Sequence, residues 1–253
     1  MSLKLNTLPG RPLLIGHRGY PARFPENTLA AFFGAMDAGC DMIELDVTLT
    51  ADRKVVVIHD DTLDRTTSGK GPVRERTLAE IRSLDAGSWF APRFNTERVP
   101  LLAEVIAATA GRCMLNIEIK ESAFEEDFPD DSVERQVVDQ VAVGAARDRV
   151  IISSFDRRIL ERIAALPDPP ALAFITDTGA DPENTGVLCA IRAFSWHPRR
   201  TVLTADQVDR VHALGMRVYP WTINTRPEAE ALLGMGVDGL ICNEMDAFPR
   251  AAT

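Results

Sequence analysis

The chain has 253 residues and a formal net charge of −9, which argues against general nucleic-acid binding because such proteins usually present a basic face. Its composition, 45% hydrophobic and 26% charged, is typical of a globular protein with a full core, and we predict one domain over residues 1–253. No stretch approaches the roughly 18 apolar residues of a membrane span, so stable membrane insertion is not expected.

The cysteines and the start of the chain bear on the cellular compartment. Cys40, Cys113, Cys189 and Cys242 form no C-x-x-C pair and lie far apart in sequence, so we predict buried thiols instead of disulfides or a zinc site. Residues 1–11 lack the apolar run of a secretory signal. These features predict a cytoplasmic protein.

Apolar strand-like runs alternate with helical periodicity along the chain, which is typical of an α/β protein with a parallel sheet. Apolar residues spaced as on one helix face predict a helix from Leu29 that ends at Gly39, a suitable left-handed cap. Farther on, Thr204 and Gln207 are spaced as a capping box for a helix that stops at Gly215. The nine predicted strands span residues 13–18, 42–50, 55–60, 113–120, 150–155, 171–176, 193–197, 217–223 and 238–242.

One connection breaks this alternation. Only residues 51–54 separate the second and third strands, too few for a parallel crossover, so the third strand must return as a hairpin. The register about this turn places His59 opposite Asp46 and close to Glu44. Without the return strand eight parallel strands remain, and eight βα units in about 250 residues predict a TIM (β/α)8 barrel.

Residues 61–100 are predicted to form a small insertion after the third strand. They contain a helix-like run at 78–84, exposed-looking aromatic residues at Trp89, Phe90 and Phe94, and no strong strand. Two interpretations stay open for this segment. It is either an ordinary long loop or a lid or substrate wall beside the mouth of the barrel.

Two of the predicted strands carry polar side chains along one face. Because residues two apart in a strand share a face, Glu44 and Asp46 point together, as do Asn116, Glu118 and Lys120. Buried carboxylates need a compensating charge, and hard oxygen ligands favour Mg²⁺ or Ca²⁺. We therefore predict that Glu44, Asp46 and Glu118 bind a divalent cation. The alternative is that these acids lie on a solvated antiparallel face, although both faces of a parallel sheet are normally covered.

Two histidine motifs lie near predicted strand ends, His17-Arg18-Gly19 and His59-Asp60. Histidine titrates near neutral pH and can donate or accept a proton, and a guanidinium group matches the paired oxygens of a phosphate. Together with a divalent cation, these groups are the inventory needed to cleave a phosphate ester.

An ordered set of motifs over nearly the whole chain resembles the glycerophosphodiester phosphodiesterase family. The matching segments are His-Arg-Gly at the start of 17–28, Glu-Leu-Asp-Val at 44–47, Val-Ile-His-Asp at 57–60, Leu-Asp-Arg-Thr-Thr at 63–67, Glu-Ile-Lys at 118–120, Ser-Ser-Phe at 153–155 and Trp-Thr-Ile-Asn at 221–224. The resemblance implies a TIM barrel with a small insertion after the third strand. It also implies hydrolysis of a glycerophosphodiester, a small-molecule substrate, to sn-glycerol 3-phosphate and an alcohol.

The resemblance further implies roles for the residues at the matching positions. These are metal ligands at Glu44, Asp46 and Glu118, a phosphate clamp at Arg18, and an acid–base pair at His17 and His59. We expect His17 to act as the base and His59 to protonate the leaving group, with the reverse assignment left open. The nucleophile is either water or the 2-hydroxyl of the glycerol moiety.

Four other residues have two interpretations each, and a fifth has one. Lys120 either contacts the phosphate or acts as a countercharge for the carboxylates, and Trp221 either stacks on the substrate or belongs to the core. Glu26 precedes a helix and suits a capping role, whereas the family motif places it near the site. His197 is expected to be an ordinary polar residue near a strand end, with access to the pocket as the alternative, and His212 to lie on a helix surface.

Departures from the family pattern put the preferred alcohol in question. The chain has Cys242-Asn-Glu244 where the family usually shows a Thr-Asp pair, and residues 195–198 are idiosyncratic. A second hypothesis is a lysophospholipase D or lyase acting on lysolipids, which would need an apolar channel or a membrane-facing patch such as Trp89, Phe90 and Phe94 could supply. A third is a non-catalytic binding barrel, which would be expected to lack a histidine or a metal ligand; none is missing.

Overall fold

Strands and helices alternate over the part of the chain that the computed structural model describes, residues 4–245 and 248. The strands are β1 (Leu13–Gly16), β2 (Met42–Leu49), β3 (Val55–Val57), β4 (Met114–Ile119), β5 (Val150–Ser154), β6 (Ala171–Thr176), β7 (Ser195–Pro198), β8 (Arg217–Val218) and β9 (Gly239–Cys242). The α-helices are α1 (Leu29–Asp37), α2 (Leu78–Arg82), α3 (Leu102–Ala108), α4 (Val133–Val143), α5 (Arg157–Ala164), α6 (Pro182–Ala190), α7 (Ala205–Ala213) and α8 (Arg226–Gly234).

Eight of these strands form one parallel sheet in the order β8-β7-β6-β5-β4-β2-β1-β9. Beyond β8, a parallel bridge joins Ile223 to Cys242 of β9, and the Ile223 N–H donates to the carbonyl oxygen of Ile241 at 2.9 Å. This bridge brings the two edges of the sheet together in a nearly closed barrel. The predicted TIM-barrel fold is confirmed.

The third strand is the return arm of a hairpin, as predicted. β3 pairs antiparallel with β2, with Val57 opposite Val47, within one residue of the predicted register. The strand is shorter than predicted, because it ends at Val57 and the chain then leaves the sheet. His59 and Asp60 therefore lie on the turn that follows β3, at the edge of the barrel mouth.

The eighth parallel strand is also shorter than predicted. β8 covers only two residues, because Pro220 has no N–H to donate to the ladder. Beyond this break Trp221 N–H still donates to the carbonyl oxygen of Pro198 at 3.0 Å, so the chain stays in line with the barrel wall. Trp221 is thereby placed on the cavity side of the rim.

The barrel interior is apolar near the starts of the strands and polar near their ends. The apolar plug comprises eight buried residues, Leu13, Ile15, Met42, Met114, Ile151, Ala173, Tyr219 and Ile241. A larger apolar core lies between the outer faces of the strands and the helices. Because the plug fills one end, the open end is the one at which TIM-barrel active sites lie.

Local sequence determines where two of the helices stop. Gly39 follows α1 and Gly215 follows α7. Each has a φ of 77°, a backbone conformation that residues other than glycine rarely adopt. Thr204 and Gln207 form the predicted capping box at the start of α7. These features end each helix in time for the chain to enter the next strand.

Residues 61–100 pack around a small core of their own. The core joins the hairpin residues Val56 and Ile58 to Leu63, Val73, Ile81, Ala86 and Val99. Helix α2 matches the predicted helix-like run. Phe94 packs on Phe24, with ring centroids 5.8 Å apart. The segment is thus folded against the barrel, while its assignment as an insertion bounded at 61 and 100 stays a prediction.

The prediction for the cysteines is confirmed at three of the four positions. Cys40, Cys113 and Cys242 are buried thiols, but Cys189 is exposed, contrary to the prediction, because its position on α6 faces solvent. Within the described part of the chain, no helix is both long enough and apolar enough to cross a bilayer. Residues 1–3, 246–247 and 249–253 of the predicted domain lie outside the described residues.

Adjacent phenylalanines on α1 provide a test of which face of that helix supports the barrel. Phe32 is fully buried, whereas Phe33 is 40% exposed. We expect Phe32→Ala to lower the free energy of unfolding by about 3–5 kcal/mol, because it leaves a cavity in the core. Phe33→Ala should cost about 1 kcal/mol or less. Urea denaturation of both variants checks this, and equal losses would contradict the packing described.

Candidate active site

A cavity of ≈ 210 Å³ opens at the carboxyl ends of the parallel strands. Its wall brings together seven of the residues singled out in the sequence, His17, Arg18, Glu44, His59, Glu118, Lys120 and Trp221. They come from segments up to about 200 positions apart in the chain, joined only because the barrel is closed. Glu26 and Asp46 contact members of this set without lining the cavity themselves.

Three carboxylates form the acidic centre of the site. One oxygen each from Glu44, Asp46 and Glu118 lies within 4.8 Å of the other two. They are brought together by the parallel pairing of β2 with β4, in which Asp46 is opposite Glu118. All three side chains lie in the barrel interior, at most 9% exposed. The alternative of a solvated antiparallel face is therefore wrong.

The carboxylates repel one another at this distance. Burial, together with repulsion from Asp46, raises the pKa of Glu118 to about 7 and raises the pKa of Glu44 well above its usual range. Burial acts on Asp46 as well, but neighbouring cationic groups, above all Arg18, hold the pKa of Asp46 below its usual value. The cluster thus has more negative charge than its surroundings neutralise. Three carboxylates with only oxygen donors fit a hard divalent cation.

Arg18 and Lys120 are the cations that contact this cluster. The Arg18 backbone N–H donates to Glu44 at 2.7 Å, and its Nε lies 3.5 Å from Asp46. Lys120 Nζ lies 3.1 Å from Glu118 and 3.7 Å from Asp46. Both side chains also line the cavity, so the same groups can face a substrate phosphate.

Asn27 is a site residue that the sequence argument missed. Its Nδ2 donates to Asp46 at 2.9 Å, and its Oδ1 accepts the Asp46 N–H at 3.4 Å. The capping role considered for Glu26 is wrong, because Thr28 caps α1 by accepting the N–H of Ala31. Asn27 has a left-handed φ of 55°, a conformation that asparagine tolerates better than most residues. This reason for an asparagine at position 27 is visible in the structure and not in the sequence.

His17 is held by a neutral amide. Its Nδ1 lies 2.7 Å from Oδ1 of Asn243, whose Nδ2 donates to Asn224 at 2.8 Å. Because the amide nitrogen is used in that second bond, its oxygen is left to accept the Nδ1–H of His17. Burial and the charge of Arg18 lower the pKa of His17 to about 4. At neutral pH the ring is therefore neutral, with a lone pair on Nε2.

His59 is held by a carboxylate. Its Nδ1 lies 2.6 Å from Asp60, and Arg65 binds the other oxygen of Asp60 at 2.7 Å. Arg65 also makes a bidentate pair with Glu26, at 2.8 Å for both bonds, and Glu26 in turn accepts from Arg18 at 2.8 Å. Glu26 thus links the two cationic side chains. Hydrogen bonding from Arg65 lowers the pKa of Asp60, so this partner of His59 stays ionised.

Two aromatic residues and a further histidine complete the wall. Trp221 and Phe155 pack edge to face with centroids 5.6 Å apart. His197 is fully buried and lines the cavity, whereas it was expected to be an ordinary polar residue near a strand end. His212 is exposed and pairs with Asp238, in line with a surface role.

The aromatic residues of segment 61–100 lie away from the cavity. Trp89, Phe90 and Phe94 pack on one another and on Phe24, and none of them lines the cavity wall. The apolar channel that a lysolipid enzyme would need is not built from these residues. The structure does not favour the lysolipid alternative.

Comparison with known proteins identifies the family. The family model described as the glycerophosphoryl diester phosphodiesterase family matches residues 17–247. A glycerophosphodiester phosphodiesterase from Caldanaerobacter subterraneus is 37% identical over 239 residues, which cover 94% of this chain and 96% of the relative. The chain belongs to the glycerophosphoryl diester phosphodiesterase family. It is an enzyme of the phosphoric diester hydrolase class.

Solved structures of the glycerophosphoryl diester phosphodiesterase fold resemble the chain over most of its length. A phosphodiesterase from Oleispira antarctica, solved with the product sn-glycerol-3-phosphate, superposes with a TM-score of 0.85 at 29% identity and covers 94% of this chain and 95% of its own. A glycerophosphodiester phosphodiesterase from Agrobacterium tumefaciens has a TM-score of 0.82 at 27% identity, covering 94% and 98%. The similarity therefore extends well beyond the motifs of the first strands.

The acidic cluster predicts opposite effects of one substitution with and without a divalent cation. In chelator, Glu44→Gln should leave the melting temperature unchanged or raise it, because a repelling buried charge is removed. With Mg²⁺ or Ca²⁺ at about 100 times its Kd, the free energy of unfolding of the wild type should rise by about 2.7 kcal/mol. The variant should show little of this rise. Differential scanning calorimetry measures both.

Glu161→Gln, an exposed change on α5, is the matched control and should behave as the wild type does. An equal gain in Glu44→Gln and the wild type would contradict a cation site at these carboxylates.

Proposed function

We propose that this enzyme hydrolyses glycerophosphodiesters to sn-glycerol 3-phosphate and an alcohol in a divalent-cation-dependent reaction. The observation that carries the proposal is a buried triad of carboxylates in one cavity with two histidines that have different Nδ1 partners. Family membership supports the substrate class, as does similarity to the Oleispira enzyme that binds sn-glycerol-3-phosphate.

Glu44, Asp46 and Glu118 would hold the cation. Their all-oxygen donor set suits Mg²⁺ or Ca²⁺. When bound, the cation neutralises negative charge on the phosphoryl oxygens. The remaining steps are assigned to side chains of the protein.

His17 is the proposed general base. Its Nδ1–H is committed to Asn243, and the neutral ring offers the Nε2 lone pair. Nε2 accepts the proton of the nucleophile, which is water or the 2-hydroxyl of the glycerol moiety, as that oxygen forms a bond to phosphorus. Attack by the 2-hydroxyl gives a cyclic phosphate, which water then opens to sn-glycerol 3-phosphate. A base of low pKa is weak, but it remains unprotonated even in mildly acidic solution.

His59 is the proposed general acid. The Asp60 carboxylate holds the ring through Nδ1, which fixes its orientation and leaves Nε2 as the nitrogen that can donate to a leaving group. As the phosphorus–oxygen bond to the alcohol breaks, Nε2 donates its proton to the leaving oxygen. The two histidines thus move one proton each, in opposite directions.

Arg18 and Lys120 are proposed to contact the phosphate, and Glu26 to act through Arg18. The guanidinium of Arg18 is fixed by Glu26 at 2.8 Å, which restricts its orientation toward the cavity. Trp221 is proposed to cover the organic part of the substrate from the rim, next to Phe155. We propose the cytoplasm as the site of action, since the cysteines of the described residues are free thiols.

The activity is tested with glycerophosphocholine. We expect release of sn-glycerol 3-phosphate that stops in chelator and returns with Mg²⁺ or Ca²⁺. His17→Ala and Glu44→Ala should each lower kcat/KM by about 100-fold or more, because each removes a group that acts in the transition state. A coupled assay for sn-glycerol 3-phosphate measures this.

His212→Ala is the matched histidine control, because His212 lies on the surface of α7. It should retain wild-type activity. A folded sample that releases no product from any glycerophosphodiester with either metal would refute the proposal, and cleavage of lysophosphatidylcholine by that sample would move the assignment to lysolipids.

The pH profile tests the role of Asn243. Asn243→Asp places a carboxylate beside Nδ1 of His17 and therefore raises the pKa of that ring from about 4. Because the base works only when neutral, activity will then be lost at a higher pH as the solution is acidified. We expect the acidic limb of kcat/KM to move up by about one unit or more.

Asn95→Asp is the control for added charge, since Asn95 is exposed in segment 61–100. Its profile should match the wild type. An acidic limb that stays in place in Asn243→Asp would contradict the assignment of His17 as the base.

A further inference from the structure

Four buried side chains inside the barrel have polar atoms that are not hydrogen-bonded. We call them the neutral polar cluster, and they are Asn116, Ser153, His197 and Tyr219, each no more than 1% exposed. Both amide atoms of Asn116, the hydroxyls of Ser153 and Tyr219, and Nδ1 of His197 find no partner among the described residues. Such atoms are usually paired, and the adjacent apolar plug shows that this interior accepts hydrocarbon side chains. Polar groups at these positions therefore require another explanation.

Two of the four members of the cluster line the cavity, and they belong to different strands. Asn116 and His197 line the cavity directly. Asn116 lies on β4, paired in register with Glu44, and Ser153 lies on β5, paired with Glu118. His197 belongs to β7, on a different part of the barrel wall. A molecule bound at the carboxylates would thus also meet neutral hydrogen-bonding groups, from Asn116 on one strand and His197 on another.

His197 is oriented so that one nitrogen is available. Its Nε2 lies 2.9 Å from the hydroxyl of Ser195, which leaves Nδ1 as the ring nitrogen without a partner among the described residues. The Tyr219 ring packs beside it with centroids 5.4 Å apart. Burial lowers the pKa of His197 to about 3, so the ring carries no charge at neutral pH. Because the hydroxyl of Ser195 can rotate, Nδ1 can either donate or accept.

The cavity is therefore divided by charge. Phosphate is matched by Arg18 and Lys120 and by a cation at the carboxylates, whereas the cluster offers an amide and an imidazole and no net charge. Groups that both donate and accept suit hydroxyls, which do the same. Asn116 and His197 supply no charge to balance that of a phosphate or a choline headgroup.

We propose that Asn116 and Nδ1 of His197 bind the terminal hydroxyl of the glycerol moiety and so make the enzyme selective for glycerol esters over esters of less hydroxylated alcohols. The inference rests on the proposed function and deepens it. A site built to hydrogen-bond a hydroxyl discriminates strongly against an analogue without it, because its own buried groups are then left unpaired.

The test compares two phosphodiesters that differ by one hydroxyl. Glycerophosphocholine has hydroxyls at both free carbons, and the 1,2-propanediol ester of phosphocholine keeps the 2-hydroxyl and lacks the terminal one. Either nucleophile therefore remains possible for both esters. With release of choline measured for each, the wild type should favour the glycerol ester in kcat/KM by about 100-fold or more.

His197→Phe and Asn116→Leu keep the volume of each side chain and remove its polar atoms. Each should lower kcat/KM on the glycerol ester about 10-fold or more while changing the propanediol ester about 3-fold or less, so that the preference shrinks. His197→Gln, which retains hydrogen-bonding atoms, should recover part of the preference. His212→Ala should leave the preference unchanged.

Thermal unfolding separates substrate binding from a structural role. If Asn116 serves the ligand, Asn116→Leu should keep or raise the melting temperature, because an unpaired buried amide is replaced by hydrocarbon. A lower melting temperature with an unchanged substrate preference would show that the cluster serves the fold and would overturn the inference. Equal losses of kcat/KM on both esters in folded variants would also overturn the inference. Failure of the wild type to cleave either ester would instead overturn the proposed function, and the inference with it.

Discussion

Mutual repulsion among three buried carboxylates is the constraint on which the rest of the site depends. Two unit charges 4 Å apart repel by about 4 kcal/mol at an effective dielectric constant of 20, which is comparable to the whole stability of a small domain. One carboxylate oxygen each from Glu44, Asp46 and Glu118 nevertheless lies within 4.8 Å of the other two. The apolar plug and the surrounding helices hold the strands in register, and Arg18 and Lys120 offset part of the charge. A bound divalent cation would offset the remaining negative charge.

Electrostatics then divides the cavity into regions with different chemistry. Both histidines are held through Nδ1, yet His17 contacts the amide of Asn243 and His59 the carboxylate of Asp60. That difference suits one ring to accept a proton and the other to supply it. Beside the charged groups, Asn116 and His197 add neutral hydrogen-bonding groups suited to hydroxyls. Phosphate chemistry and alcohol recognition can therefore be altered by separate substitutions.

Much of the fold follows from local sequence, because strand alternation, the short connection at 51–54 and glycine at helix ends act over a few residues. The carboxylate cluster also followed, since residues two apart in a strand share a face. The hydrogen-bond partners of the two histidines could not be predicted from the sequence. Asn243 is 226 positions from His17, and the link from Asp60 through Arg65 to Glu26 joins two loops. Such contacts depend on barrel closure and loop paths, for which a single sequence carries no periodic signal.

The central claim is that the three carboxylates hold the cation at which the phosphate is bound. Anomalous diffraction from crystals grown with Mn²⁺ and sn-glycerol 3-phosphate tests it most directly, because Mn²⁺ prefers the same oxygen ligands as Mg²⁺. The account predicts one strong peak in contact with Glu44, Asp46 and Glu118, with the phosphate between the ion and the two histidines. A peak elsewhere, or bound product with no ion at the three carboxylates, would contradict it.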